Sequence, residues 1–220
     1  MKKYDTLIFD LDGTLLNTLE DLMDSVNFAL KGNGLPERTL DEIRSFVGNG
    51  VENLVRRSAM PITDEKTLEG VLAEFKKHYA VNCENKTALY PGIKELLETL
   101  KSSGYKIAIV TNKHQEAVKP LYESYFEGVV DVAIGQQEAY RKKPDPDGVF
   151  LAIQALEADR ETSVYIGDSE VDFETAKRAN LPCILVTWGF RDRAELEAIG
   201  GEYFVDTPNE ILDFIGFEVY

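Results

Sequence analysis

The chain has 220 residues, 44% of them hydrophobic, and carries 39 acidic against 24 basic side chains, a formal net charge of −15. That length can bury one good core and a smaller satellite domain, and so negative a chain argues against nucleic acid or an anionic membrane as a partner. No run of about 18 apolar residues exists, "MKKYDTLIFDLDG" meets acids too early for a signal peptide, and Cys83 and Cys183 lie too far apart for a C-x-x-C site. The expectation is a cytoplasmic protein with reduced thiols.

The first apolar segment, Leu7 to Phe9, reads as a strand that ends on Asp10 and Asp12. The next stretch contains no convincing strand. Leu19, Leu22, Val26, Ala29 and Leu30 fall on one helical face, "KGNGLP" supplies a stop, and helical patterns follow around Leu40 to Phe46, Val51 to Ser58 and Thr67 to Tyr79. After "LYPG", Ile93, Leu96, Leu97 and Leu100 repeat at helical spacing. Strands are then expected at Lys106 to Val110, Ser163 to Ile166 and Cys183 to Val186, alternating with helices. The reading is an α/β chain: a doubly wound parallel sheet, Rossmann-like, in residues 1–17 and 83–220, with a helical cap at 18–82 inserted after the first strand.

Ligands of such sheets bind at the carboxyl ends of the strands. Asp10 and Asp12 follow the first strand; Thr111, Asn112 and Lys113 follow the second; Gly167, Asp168, Ser169 and Asp172 follow a later one, and "YRKKPDP" adds Lys142 and Lys143. Several carboxylates in one place repel one another unless a cation sits among them, and an oxygen-only donor set points to Mg²⁺ shared with a phosphate. Asp10 can then act as nucleophile toward phosphorus and Asp12 as acid and base. Lys143 and Thr111, with Asn112 beside them, would hold the phosphoryl oxygens.

These segments also carry a resemblance. "DLDGT", "VTNK", "KKPDP" and "GDSEVD", in this order, are similar to the four signature motifs of the haloacid dehalogenase-like hydrolases, and the helical insertion resembles their C1-type cap. The resemblance implies Asp10 as nucleophile, Asp12 as acid/base, Thr111 and Lys143 as charge stabilisers and Asp168 as a Mg²⁺ ligand. Asp10 and the backbone carbonyl of Asp12 would complete the metal shell, with Asp172 joining or supporting it. Dehalogenases of the family lack the second aspartate of the first motif, so phosphate chemistry is favoured here. Asn17 stands where relatives commonly have an acid.

Within the phosphatases, "FVGNGVENLVRRSA" and "TWGFRDRAEL" resemble the phosphoglycolate phosphatase group. This makes Gly48, Asn49, Gly50 and Arg56 candidate substrate contacts and 2-phosphoglycolate the expected substrate. A phosphomutase of the β-phosphoglucomutase kind, a pyrophosphatase or a promiscuous sugar-phosphate phosphatase are the alternatives. The expected partner is a small phosphorylated metabolite, met by a monomer or weak homodimer.

Overall fold

The computed structural model describes residues 3–62 and 64–217. The chain forms two compact units. One takes the chain up to Leu16 and again from Leu89 onward, and the other comprises Asn17–Ala88.

The first strand, β1 (Thr6–Phe9), is buried along its whole length. The chain leaves the first unit through β2 (Leu16–Asn17) and returns through β3 (Ala88–Leu89), which pair as a two-stranded ribbon. Between them lie α1 (Leu19–Gly32), α2 (Leu40–Phe46), α3 (Val51–Ala59) and α4 (Glu65–Asn82). Leu22, Val26, Ala29 and Leu30 of α1 and Val71, Phe75 and Tyr79 of α4 are buried, as the apolar spacing requires. Caps define the ends: Thr39 and Glu42 exchange bonds in a capping box, and the Asp64 carboxylate accepts from Thr67 N at 2.9 Å. The buried Asp21 carboxylate accepts from Lys86 N, Thr87 N and Thr87 Oγ1, tying the start of α1 to the segment that leads back into β3.

The first unit continues with α5 (Ile93–Ser102), β4 (Lys106–His114), α6 (Gln115–Tyr125), β5 (Val132–Gln136) and α7 (Asp147–Ala155). It ends with β6 (Ser163–Gly167), α8 (Glu170–Ala179), β7 (Cys183–Val186), α9 (Arg193–Ala198), β8 (Phe204–Val205) and α10 (Asn209–Phe214). Six strands form one parallel sheet in the order β5-β4-β1-β6-β7-β8. Alternate side chains enter different cores. Leu7, Phe9, Ile107, Ile109, Val164 and Ile166 pack with α5 and α6 residues such as Leu96, Leu97 and Leu121. Ile8, Ala108, Val110 and Tyr165 pack with Val149 and Ala152 of α7 and Ala176 and Ala179 of α8. Each fully buried Leu or Ile contributes about 1.5–3 kcal/mol.

From β1 the chain builds toward β4 and β5, then crosses back to β6 on the other side of β1. The connections leaving β1 and β6 therefore diverge, and a crevice opens at their carboxyl ends. The expected strands are present. Beyond them, β4 runs through to His114, so Thr111 and Asn112 belong to the strand, and β5 and β8 are added at the sheet's edges.

Candidate active site

The end of β1 is tied to β6 by Asp10 N, which donates to Ile166 O at 2.8 Å. Asp10 is the next residue after the strand and Asp168 directly follows Gly167, so the topology alone brings these two acids to the crevice. Asp172, in the first turn of α8, joins them. Each of the three offers one carboxylate oxygen, and these oxygens lie within 4.8 Å of one another, all on buried residues.

Glycines make this crowding possible. A Cβ on Gly13 would stand 2.7 Å from Asp168 Cγ and 2.9 Å from the Phe190 ring, and at φ +90° the residue holds a backbone that other residues resist. A Cβ on Gly189 would also collide with Asp168 and stand 2.6 Å from Gly13 O, while one on Gly167 would collide with Asp172. The Asp168 side chain thus lies closely against two glycine backbones, and its Oδ2 accepts from Phe190 N at 2.7 Å.

Lys143 enters this cluster from the loop before α7, its side chain only 4% exposed. Its ammonium stands 2.7 Å from Asp10 Oδ1 and 2.7 Å from Asp172 Oδ1, and donates to Tyr165 Oη at 3.1 Å. Lys143 thus donates to Asp172 Oδ1 and Tyr165 Oη, while Asp10 Oδ1 meets the ammonium as an ion pair without a hydrogen bond. Tyr165 Oη lies 3.1 Å from Asp172 Oδ1, and Ser169 Oγ donates to Asp172 Oδ2 at 2.6 Å. Burial opposes the charge on Lys143, but Asp10 and Asp172 outweigh it and hold the ammonium well above its ordinary pKa. Burial, with Asp172 second, pushes the Asp10 carboxyl up to about 7 despite Lys143. Burial, then Asp172 and Asp10, push Asp168 well above the usual carboxylate range.

The end of β4 supplies the remaining groups. Its register to β5 shifts between Val110 and His114, a bulge that re-aims the strand end beside the site. Thr111 and Lys113 are buried there and alternate with Asn112 and the exposed His114. Thr111 Oγ1 accepts from Lys113 N at 3.2 Å, and Lys113 Nζ donates to Asp12 Oδ1 at 2.9 Å. Asn112 donates to the carbonyl of Lys143 at 3.1 Å, so its amide braces the lysine loop.

In the first unit, Asp10, Asp12, Thr111, Asn112, Lys143 and Asp168 lie on strand ends and loops, and Asp172 in the first turn of α8. Gly48, Asn49, Gly50 and Arg56 belong to the second. There Gly48 and Gly50 hold φ +119° and +82° in the turn that opens α3, and Arg56 makes a two-pronged ion pair with Glu65 at 2.8 Å. The residues that sequence reading left without a role are Lys113, Tyr165, Ser169 and Gly189. Tyr165 reads as one more apolar strand residue, and only burial shows its hydroxyl beneath Lys143.

Four carboxylates, Asp10, Asp12, Asp168 and Asp172, meet two ammonium groups, Lys113 and Lys143, leaving a deficit of two positive charges. Burial first, and the neighbouring carboxylates second, raise the Asp10 and Asp168 carboxyls. A divalent cation with hard oxygen ligands fits this donor set in charge and in chemistry.

Residues 7–186 match the family model of the haloacid dehalogenase-like hydrolases. The chain belongs to the haloacid dehalogenase-like hydrolases. Among its relatives, a phosphoglycolate phosphatase of Aquifex aeolicus is 34% identical over 84% of this chain and 85% of its own length. Another, from Colwellia psychrerythraea, is 31% identical over 96% of this chain and 97% of its own. A solved structure from Lactobacillus delbrueckii subsp. bulgaricus, provisionally named a phosphoglycolate phosphatase, superposes with a TM-score of 0.91 at 35% identity, covering 98% of this chain and 99% of the other. The six-stranded parallel sheet with helices on both faces is the fold of this hydrolase family, and among the described residues no helix is long and apolar enough to cross a membrane.

Proposed function

We propose that this chain is a Mg²⁺-dependent phosphomonoester hydrolase that acts on 2-phosphoglycolate through an aspartyl-phosphate at Asp10. The observation that carries the chemistry is the buried cluster of Asp10, Asp168 and Asp172 around Lys143, two charges short of neutrality, with Asp12 two residues beyond Asp10. The substrate is taken from the relatives, which bear the name phosphoglycolate phosphatase.

Asp10, Asp168 and the backbone carbonyl of Asp12 would hold Mg²⁺, with Asp172 joining or supporting the shell. When bound, the ion neutralises the carboxylates and polarises phosphoryl oxygens as a Lewis acid. Asp10 attacks phosphorus, forming one P–O bond as the bond to the leaving oxygen breaks, and Asp12 gives that oxygen its proton. Water then attacks phosphorus, Asp12 takes up its proton, and the bond to Asp10 breaks to release phosphate. Lys143 and Thr111 stabilise the charge on the equatorial oxygens, and Asn112 keeps the lysine loop in place. Gly48, Asn49, Gly50 and Arg56 of the helical unit are the proposed selectors of substrate; Arg56 must first leave Glu65. The enzyme works in the cytoplasm on a small phosphorylated metabolite, as a monomer or weak homodimer, with neither nucleic acid nor membrane as partner.

The test is phosphate release from 2-phosphoglycolate, sugar phosphates, nucleotides and pyrophosphate, with Mg²⁺ and with a chelator. A kcat/KM highest for phosphoglycolate and lost with the chelator supports the reading. Turnover to an isomerised sugar phosphate without free phosphate would replace it with a mutase.

A further inference from the structure

Asp12 is held from one side only. Its Oδ1 receives Lys113 Nζ at 2.9 Å, while its Oδ2 has no hydrogen-bond partner among the described residues. The two side chains differ in exposure, 4% for Lys113 and 21% for Asp12. The ammonium is cut off from water, whereas the carboxylate keeps one edge open. A buried cation without an acid partner costs several kcal/mol, so the pair is kept together in the folded protein.

The backbone on both sides is fixed as well. Gly13 N donates to Leu16 O at 2.9 Å and Asp12 makes a bridge to Leu16, which sets the Asp12 main chain. Lys113 is set by the bulge in β4, where its N–H reaches Thr111 Oγ1. Gly135 of β5 abuts this bulge: a Cβ there would stand 2.9 Å from Lys113 O and 2.8 Å from Gln115 Cα. A carboxylate on a fixed backbone still has two torsions of its own, and the contact to Lys113 restricts them.

From this geometry we infer that Lys113 is a positioning residue for proton transfer: it fixes Asp12 by Oδ1 and leaves Oδ2 as the oxygen that gives a proton to the leaving group and takes one from water. The inference rests on the acid/base role of Asp12 proposed above. It gives Lys113 a task distinct from that of Lys143, whose ammonium lies against Asp10 and Asp172.

The test compares kcat/KM on phenyl phosphate, a leaving group that needs its proton, with that on 4-nitrophenyl phosphate, which needs it far less. Neither depends on the natural substrate. Lys113→Met is expected to lower kcat/KM by about 100-fold on phenyl phosphate and by less than about 10-fold on 4-nitrophenyl phosphate, the scale of a lost proton transfer. Lys113→Arg, which keeps the charge, is expected to recover most of the loss. In an Asp12→Asn background, Lys113→Met should add less than about 2-fold, because the group it positions is already gone. This double variant also keeps the inference testable if Lys113→Met alone fails to fold, since it leaves no unpaired charge.

Equal losses on the two substrates, losses that multiply in the double variant, or a weakened inhibition by inorganic phosphate with an unchanged leaving-group ratio would each overturn the inference. If Asp12→Asn slows phenyl phosphate turnover and Lys113→Met does not, the inference alone fails. If Asp12→Asn leaves turnover intact, the acid/base reading fails and takes the inference with it.

Discussion

Asp10 and Asp168 hold their protons more tightly in the folded chain than in the unfolded one, because burial and Asp172 disfavour their charge. Below the ordinary carboxylate range both states are protonated and the fold bears no penalty. As pH rises toward about 7, where Asp10 ionises in the fold, the metal-free protein loses stability. Mg²⁺ should relieve that penalty, so its stabilising shift in Tm is expected to be larger at about pH 8 than at about pH 5. A thermal shift series with Mg²⁺ and with a chelator checks this, and a shift indifferent to pH would contradict it. Lys143→Met leaves Asp10 and Asp172 without their buried cation, and a stability loss of about 3 kcal/mol in urea at neutral pH is expected; an unchanged midpoint would contradict this. The sequence singles out Asp10, Asp12 and Asp168 because acids directly after an apolar run stand out, and Lys143 because of the loop motif around it; the structure brings Asp10, Asp168 and Lys143 into one cluster. Tyr165 and Ser169 do not stand out in this way, since a tyrosine in an apolar strand and a serine at a helix start have ordinary uses elsewhere.

The loops between strands and helices depend on glycines that no spacing rule picks out. Gly189 lies against Asp168 and the Gly13 carbonyl with no room for a methyl group. Gly189→Ala is therefore expected to displace Asp168 and raise the Mg²⁺ concentration needed for half-maximal activity by about 10-fold or more. A Mg²⁺ titration of the variant reads this directly, and wild-type activation would show that the loop yields freely. In the helical unit, Asp21→Ala strands the N–H groups of Lys86 and Thr87, and a loss of about 2 kcal/mol is expected on unfolding. The helices around that core were legible because their apolar faces repeat at helical spacing. The edge strands β5 and β8 were not. β5 reads "VAIGQ" and is only half buried, β8 is two residues long, and pairing with an existing sheet gives both their conformation.

For the chain as a whole, a net charge of −15 repels a phosphorylated anion, and local cations must overcome this at the site. Raising the ionic strength from about 10 mM to about 150 mM at saturating Mg²⁺ should therefore raise kcat/KM for phosphoglycolate, because salt screens the distant surface charge more than the buried Lys143. A fall in kcat/KM would show that the site's own cations dominate long-range attraction. The order of the four motifs was enough to foresee the sheet and the crevice at its carboxyl ends. Phosphoglycolate was expected only through resemblance, since the turn at Gly48 to Gly50 and Arg56 offer ordinary helix chemistry. The central claim is the covalent route through Asp10. The most direct measurement quenches Asp12→Asn protein in acid after incubation with phosphoglycolate and Mg²⁺ and locates the phosphoryl group by mass spectrometry. The account predicts an adduct on the peptide carrying Asp10, trapped because its hydrolysis is slowed, and none in the Asp10→Asn protein. Phosphate release that persists in Asp10→Asn without any adduct would contradict it.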